Sequence, residues 1–529
     1  MSLLTTLARM EAARDGRARP TATVRHRHLS DRPMVFVPLT TAGEAGAPLG
    51  ALVGTDRDAP RLLVVAQPRD RDLRFAFLAE LAEEMLPYLE GCADDVEAET
   101  RKETDPETGK KVPVEVELCR DAPQLLVPSG PGVAYVRLLG RSMRFRRTAE
   151  QEPGAPFPAP PRVPLLGRWL THYGERSRVP GSSLLLPVTG LLGRHWATGQ
   201  SVLEDQHLGA LLGWLEPPAG TTGAEAALRA ETARTAEGLL ECPPAGPATD
   251  PVFDNLRLAP AITRYDAARA AVADGRPGAA ALLRRAEREV RELVGSQLRP
   301  TWDAVWRAVD LLAALPPGAR VAERWKRDRW SYTGHRDRIR AGEPPQPRRD
   351  DAVTAARKLL ARETAQAQLD AQEALDDPLV MAERRLAGEA FAGTVGEVVM
   401  AWSEAKVPRP RPLVTVVTAD QPHLTGESKL YRALPDGRTQ SGEFAGYAPD
   451  GGLVVRLTGG MGRGKEPDPG TVPAPGDQVC WTLFEHAPRG GPELPDPERT
   501  PWTHGGPPPA AEEAARAAAP DPVTEEDFL

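Results

Sequence analysis

The chain has 529 residues, 41% of them hydrophobic and 26% charged, which is too long for a single core and ordinary for a soluble multidomain protein. Its net charge of −8 at pH 7 argues against a surface that coats nucleic acid everywhere, but leaves room for a local basic groove. Cys92, Cys119, Cys242 and Cys480 stand far apart with no CxxC pair, which argues against structural zinc and fits free thiols in a reducing cytoplasm.

Residues 1–29 read as a basic N-terminal arm that ends in Arg25-His26-Arg27-His28. The apolar run at its start is too short for a signal peptide, and no run in the chain reaches the 18 or so apolar residues of a membrane span, so a cytoplasmic location without membrane contact is expected. A mixed α/β domain is expected over 30–150. Met34–Pro38 and Arg61–Val65 are short apolar runs bounded by turn formers, with Ala47–Val53 between them, and all three read as strands. Leu73, Phe77, Leu81, Met85 and Leu89 recur every four residues, which predicts a helix over 72–90. The charged stretch Asp94–Lys111 reads as a loop or hairpin. Val112–Leu118, Gln124–Val127 and Val133–Leu139 read as further strands, with Arg137, Arg141, Arg144, Arg146 and Arg147 as the charges of a sheet edge.

Residues 151–164 contain six prolines and read as an extended linker. A mainly helical region is expected over 165–405, with high-propensity stretches at Ala279–Val294 and Ala352–Leu375 and proline breaks near 243–251, 316–317 and 344–347. A small β-barrel is expected over 406–486, built from Leu413–Thr418, Ser428–Leu434, Gly442–Tyr447, Gly452–Leu457 and Gln478–Phe484, with Asp450-Gly451-Gly452 as a hairpin turn. Residues 487–529 are rich in Pro, Ala and Glu and read as a disordered acidic tail. The fold class expected is therefore α+β multidomain: a mixed α/β front, a helical middle, a small barrel and a tail.

No catalytic signature is intact. Gly459-Gly460-Met461-Gly462-Arg463-Gly464-Lys465 fits GxxxxGK, but Glu466 stands where a phosphate loop needs Ser or Thr, and Pro467-Asp468-Pro469-Gly470 cannot open the required helix. A charged loop between barrel strands is the expected alternative. Glu404-Ala405-Lys406 and Glu427-Ser428-Lys429 resemble half of a nuclease metal site, yet Asp420 is too close to Glu427 for the usual placement. The histidines, His172, His195 and His207 among them, show no ligand spacing, so no metal or other cofactor is expected and a non-enzymatic role is favoured.

The strongest charge feature is Arg320–Arg349, with ten Arg or Lys against four Asp or Glu. Arg324, Lys326, Arg327, Arg329, Arg336, Arg338 and Arg340 interleave there with Trp330 and Tyr332 (Trp325 lies among them), the chemistry that neutralises phosphates and stacks on bases. The same pattern also suits a solvated helix that turns its rings into a core. Arg463 and Lys465 are expected to add backbone contacts. Phe528 and Leu529 end an acidic peptide suited to docking in a basic-rimmed partner pocket. A Pro-x-x-Gly-Asp-x-Val approach to a strand occurs at Pro473-Ala474-Pro475-Gly476-Asp477-Gln478-Val479. In this, residues 413–484 resemble the small accessory β-barrels of superfamily 1 helicases, which would imply a helicase or similar protein as partner. The leading expectation is a non-enzymatic accessory of nucleic-acid processing. Its alternatives are a protein–protein scaffold using the helical middle and acidic tail, and an enzyme with a dispersed site in the α/β half.

Overall fold

The computed structural model describes residues 3–488 apart from positions 45, 106–108, 155, 348 and 351. The expected tail, with Phe528 and Leu529, lies outside the described residues. The described chain divides into a larger unit, residues 8–20 and 25–359, and a barrel unit, residues 3–7, 21–24 and 360–488.

Helix α1 (Leu3–Asp15) buries Ala12 against Trp214, and β1 (Arg19–Pro20) follows it. The first 29 residues are thus not a free arm. His26 is buried, and His28 stacks on Trp325 with ring centroids 3.9 Å apart. Next come β2 (Met34–Thr40), β3 (Pro48–Gly54), β4 (Arg61–Val64) and α2 (Arg71–Leu89). Asp70 caps α2 by accepting from the Leu73 N–H at 3.0 Å. Strands β5 (Val96–Thr104) and β6 (Lys111–Cys119) form a separate hairpin, and β7 (Leu125–Val127) returns to the main sheet.

Helix α3 (Gly130–Met143) replaces the strand expected at Val133–Leu139. All but one of its buried positions, 132, 135, 136, 139, 140 and 143, follow the helical period, which short-range alternation had masked. Helix α4 (Val163–Arg176) lies across it. The two can approach closely because Gly140 and Gly167 face the partner backbone. A Cβ on Gly140 would stand 2.6 Å from Thr171 N, and one on Gly167 2.5 Å from Arg144 N. The stretch 151–164 that reads as a linker lies within the larger unit, and Ala159 N–H donates to Arg147 O at 2.7 Å.

Then follow β8 (Leu185–Pro187), α5 (Val188–His195), β9 (Trp196–Ala197), α6 (Leu208–Leu215), α7 (Gly223–Thr232), α8 (Pro251–Phe253), α9 (Ala259–Ala273), α10 (Ala279–Ala313) and α11 (Val321–Arg340). The main sheet has the order β4-β3-β2-β7-β8, with β2, β3 and β4 antiparallel and β2, β7 and β8 parallel. Every residue of β2 is buried, because helices cover both faces. Met34 and Phe36 point into one core with α2, α3, α4 and α11. Val35, Val37 and Leu39 point into the other with α5, α6 and α10. Along α10, Val290, Val294, Leu298, Trp302, Val305, Val309 and Leu312 supply that second core at helical spacing.

The barrel unit contains most of α12 (Ala352–Asp376), then α13 (Pro378–Leu386) and six strands: β10 (Ala390–Val399), β11 (Leu413–Val417), β12 (Lys429–Ala433), β13 (Thr439–Tyr447), β14 (Leu453–Leu457) and β15 (Gln478–Thr482). They close in the order β10-β11-β14-β13-β12-β15. Five of the strands match the sequence expectation and β10 does not, since its small residues merge with the helical stretch before it. β10 is the corner of the barrel. Ala390–Thr394 pair with β15 and Thr394–Val399 with β11, with a bulge between Val395 and Glu397. Gly393 permits the corner, because a Cβ there would lie 2.3 Å from Val417 O. Phe391, Val395, Val414, Val416, Leu430, Val455 and Trp481 fill the interior.

Candidate nucleic-acid interface

Helix α11 carries the cations singled out from the sequence, and the larger unit engages most of them internally. The β5–β6 hairpin presents a row of carboxylates to it. Lys326 Nζ lies 2.7 Å from Glu99, Arg329 pairs with Glu97, Arg336 Nη2 lies 3.4 Å from Glu117, and Arg340 lies 2.6 Å from Asp94. Arg324 is buried and donates to His26 O at 3.0 Å, and Arg336 is buried and donates to Ala93 O at 2.7 Å. Arg327 is half-buried and also engaged. Arg338 is exposed on the last turn.

The rings of α11 turn inward as well. Tyr332 is fully buried and donates to Leu89 O at 2.8 Å, while Trp325 is buried and donates to Asp121 at 2.8 Å. Trp330 is half-buried with the Arg101 guanidinium 5.8 Å from its ring. Asp328, on the same helix, is fully buried and accepts from Ser182 Oγ at 2.8 Å, Ser183 N–H at 2.6 Å and Arg176 Nη2 at 2.9 Å. Most of the cations of α11 are therefore paired with carboxylates or carbonyl oxygens, which ties the helix to the hairpin, and of the predicted ones only Arg338 and Arg340 stay exposed. An accessible surface of indoles and guanidinium groups, as the sequence alone suggested, is not what this helix presents.

A second place to look is the crevice beyond the carboxyl ends of the parallel strands β2 and β7, where β2 turns back into β3 and β7 leads into α3. Open α/β sheets bind ligands at such a point. Here the chain itself fills it. Thr40 N–H donates to Pro247 O at 2.7 Å, Thr249 N–H to Thr40 O at 3.0 Å, and Ala42 N–H to Asp254 Oδ2 at 2.8 Å. Gly130 N–H, at the start of α3, donates to Gln206 Oε1 at 2.9 Å. In the neighbouring cavity, lined in part by Glu44, Gln67, Arg69, Asp254 and Asp266, Arg69 pairs with Glu44 at 2.7 Å and Gln67 with Asp266 at 2.7 Å. No group of three His, Cys, Asp or Glu side chains among the described residues is placed to hold a metal ion.

The third place is the rim of the barrel. The GxxxxGK stretch is the loop between β14 and β15, with no helix after it. Met461 is buried in the barrel core, and Gly460 and Gly462 take left-handed backbone (φ 79° and 90°), so Arg463 and Lys465 project from a loop anchored at its base. Beside it, β10 and β11 continue beyond the barrel as an arm. Trp402 bridges Pro410, Ser403 N–H donates to Arg409 O at 2.8 Å, and Arg411 N–H donates to Ala401 O at 2.7 Å.

Trp402 is 51% exposed, and its Nε1 donates to Lys465 O at 3.4 Å, which joins arm to loop. Lys406, Arg409, Arg463 and Lys465 are all exposed, and none forms an ion pair with a described residue. Glu404 and Glu466 are their acidic neighbours in sequence, so the rim keeps a small positive excess. Asp420 takes no part in a metal site. It accepts from Arg385 Nε at 2.7 Å and from Ala392 N–H at 2.8 Å.

Of the predicted residues, Arg463 and Lys465 thus stand at one accessible surface, and Trp402 supplies the exposed ring that α11 does not. The signal for Trp402 was a tryptophan in the run Trp402–Pro412, where three prolines and few apolar neighbours leave no core to enter. Compared with protein families, with characterised proteins and with solved structures, the chain matches none. No helix among the described residues is long and apolar enough to cross a membrane.

Proposed function

We propose that the protein is a non-enzymatic accessory of nucleic-acid processing that holds a single strand on the rim of its β-barrel. Lys406, Arg409, Arg463 and Lys465 contact phosphates, and Trp402 stacks on a base. The observation that carries this reading is the exposed Trp402 indole, fixed by its bond to the Lys465 carbonyl among cations without carboxylate partners. An aromatic platform flanked by cations is the chemistry that holds single strands with little regard to sequence.

Fluorescence polarisation with labelled single strands and duplexes, at about 50 mM salt where backbone contacts are strong, tests it. Binding of the single strand, weakened by Trp402→Ala, is the expected result. Equal affinity of wild type and Trp402→Ala, or no binding at all, overturns it. A protein partner is the second reading, because Val399, Met400 and Val407 are also exposed on or next to the arm.

A further inference from the structure

We propose that the seam between β12 and β15 is a binding site for a small oxyanion carrying an apolar body, with Arg432 as its cationic anchor. These two strands pair only at Tyr431 and Thr482 and then diverge. The gap is a cavity of about 340 Å³, within the range of small-ligand sites. Arg432 lies in a strand whose alternate residue, Leu430, points into the barrel, and its own side chain points inward too, only 9% exposed.

Its Nη2 donates to Gln440 Oε1 at 2.7 Å and to Thr471 O at 3.0 Å. Nε and Nη1 have no acceptor among the described residues, and no carboxylate pairs with the group. Asp477 lines the same cavity, but its Oδ2 accepts the Ala474 N–H at 2.8 Å and it forms no ion pair with Arg432. The Trp481 ring, 5.5 Å away, offers the guanidinium a partial counterweight only. Burial lowers the Arg432 pKa from its ordinary value and the Asp477 charge offsets only part of that, the mark of a cation held where its charge is costly.

An anion entering the cavity would remove that cost. One guanidinium and no second recessed Lys or Arg on the wall suit a single oxyanion head, a carboxylate or a phosphate monoester. Leu375, Met381 and Val479 form an apolar wall for the rest of the ligand. Thr482, whose hydroxyl shares a hydrogen bond with His486 Nε2 at 3.0 Å, adds a polar edge.

Cys480 lines the cavity and provides a site-specific reporter, with Cys92 and Cys242 as internal controls in the full chain. Iodoacetamide labelling is followed peptide by peptide with phenyl phosphate, benzoate or the neutral benzyl alcohol present. At least threefold slower labelling of Cys480 by one of the two anions is expected, with Cys92, Cys242 and the benzyl alcohol sample unchanged. Which anion protects identifies the head group. Arg432→Met is expected to fold and lose the protection, and Ala433→Trp, at the mouth, blocks it without touching Arg432.

Unaltered Cys480 labelling with both anions up to about 10 mM, beyond the Kd of even a weak millimolar contact, overturns the proposal. So does equal protection in the Arg432→Met and Ala433→Trp proteins. Trp402→Ala leaves the protection intact, so failure of the nucleic-acid reading and failure of this one are told apart.

Discussion

Replacing Arg463 and Lys465 together by alanine removes two of the four unpaired cations on the barrel rim, and the consequence can be worked out in advance. Both side chains are exposed, so the fold is untouched. Four phosphate contacts on a single strand give a slope of log K against log salt of about −2.8, and two give about −1.4. Between about 50 and 200 mM salt the wild type should therefore lose roughly 50-fold in affinity and the double variant roughly 7-fold. Trp402→Ala should behave differently: it removes one stacking contact, about 1–3 kcal/mol, and leaves the slope unchanged because no charge is lost. Polarisation titrations of a labelled oligonucleotide at four salt concentrations separate the two. A double variant with the wild-type slope, or a Trp402→Ala protein with a changed one, would refute the assignment of these residues to phosphate and base.

Four further outcomes concern the scaffold. Asp328→Ala strands Arg176, Ser182 Oγ and the Ser183 N–H in a buried place, and should cost about 3–5 kcal/mol in urea unfolding. A loss under about 1 kcal/mol would mean that water replaces the carboxylate there. Gly140→Ala should destabilise by about 1–3 kcal/mol, because a Cβ 2.6 Å from Thr171 N forces α3 and α4 apart. Gly193→Ala in α5, with nothing within 4 Å, should instead stabilise by up to about 1 kcal/mol in the same urea unfolding experiment.

The fourth is a pH effect. Burial holds His335 down to about 3, His195 and His28 down to about 4, and His172 well below the ordinary value. The unfolded chain takes up these protons first. Stability is thus full above about pH 6.5 and falls as pH drops toward the folded values, by up to about 1.4 kcal/mol per pH unit for each histidine. Urea midpoints followed by tryptophan fluorescence at several values between about pH 5 and 7.5 check it. A flat profile would mean that these rings take up protons in the fold as readily as in the unfolded chain.

Much of the architecture was legible because it rests on local patterns. The four-residue repeat of Leu73, Phe77, Leu81, Met85 and Leu89 is a helix. The apolar runs at 34 and 61 are strands, and five of the barrel strands lie where alternation and turn residues place them. Errors came where two patterns coincide. Val133–Leu139 alternates loosely, yet packs at helical spacing against α4, and Ala390–Val399 continues an alanine-rich helical stretch although Gly393 is there to turn a barrel corner.

The amino-acid sequence by itself determined that Arg320–Arg349 is a cationic, aromatic segment, that GxxxxGK lacks the residues of a phosphate loop, and that a small barrel follows the helices. Composition and spacing carry that information residue by residue. Only the tertiary structure decided how the charges are used. Whether a guanidinium meets a carboxylate or solvent depends on which distant segment packs beside it, and Glu97, Glu99 and Glu117 reach α11 from more than 200 positions away. The same kind of long-range placement leaves Trp402, Arg463 and Lys465 together at one rim and turns Arg432 into the barrel beside a cavity.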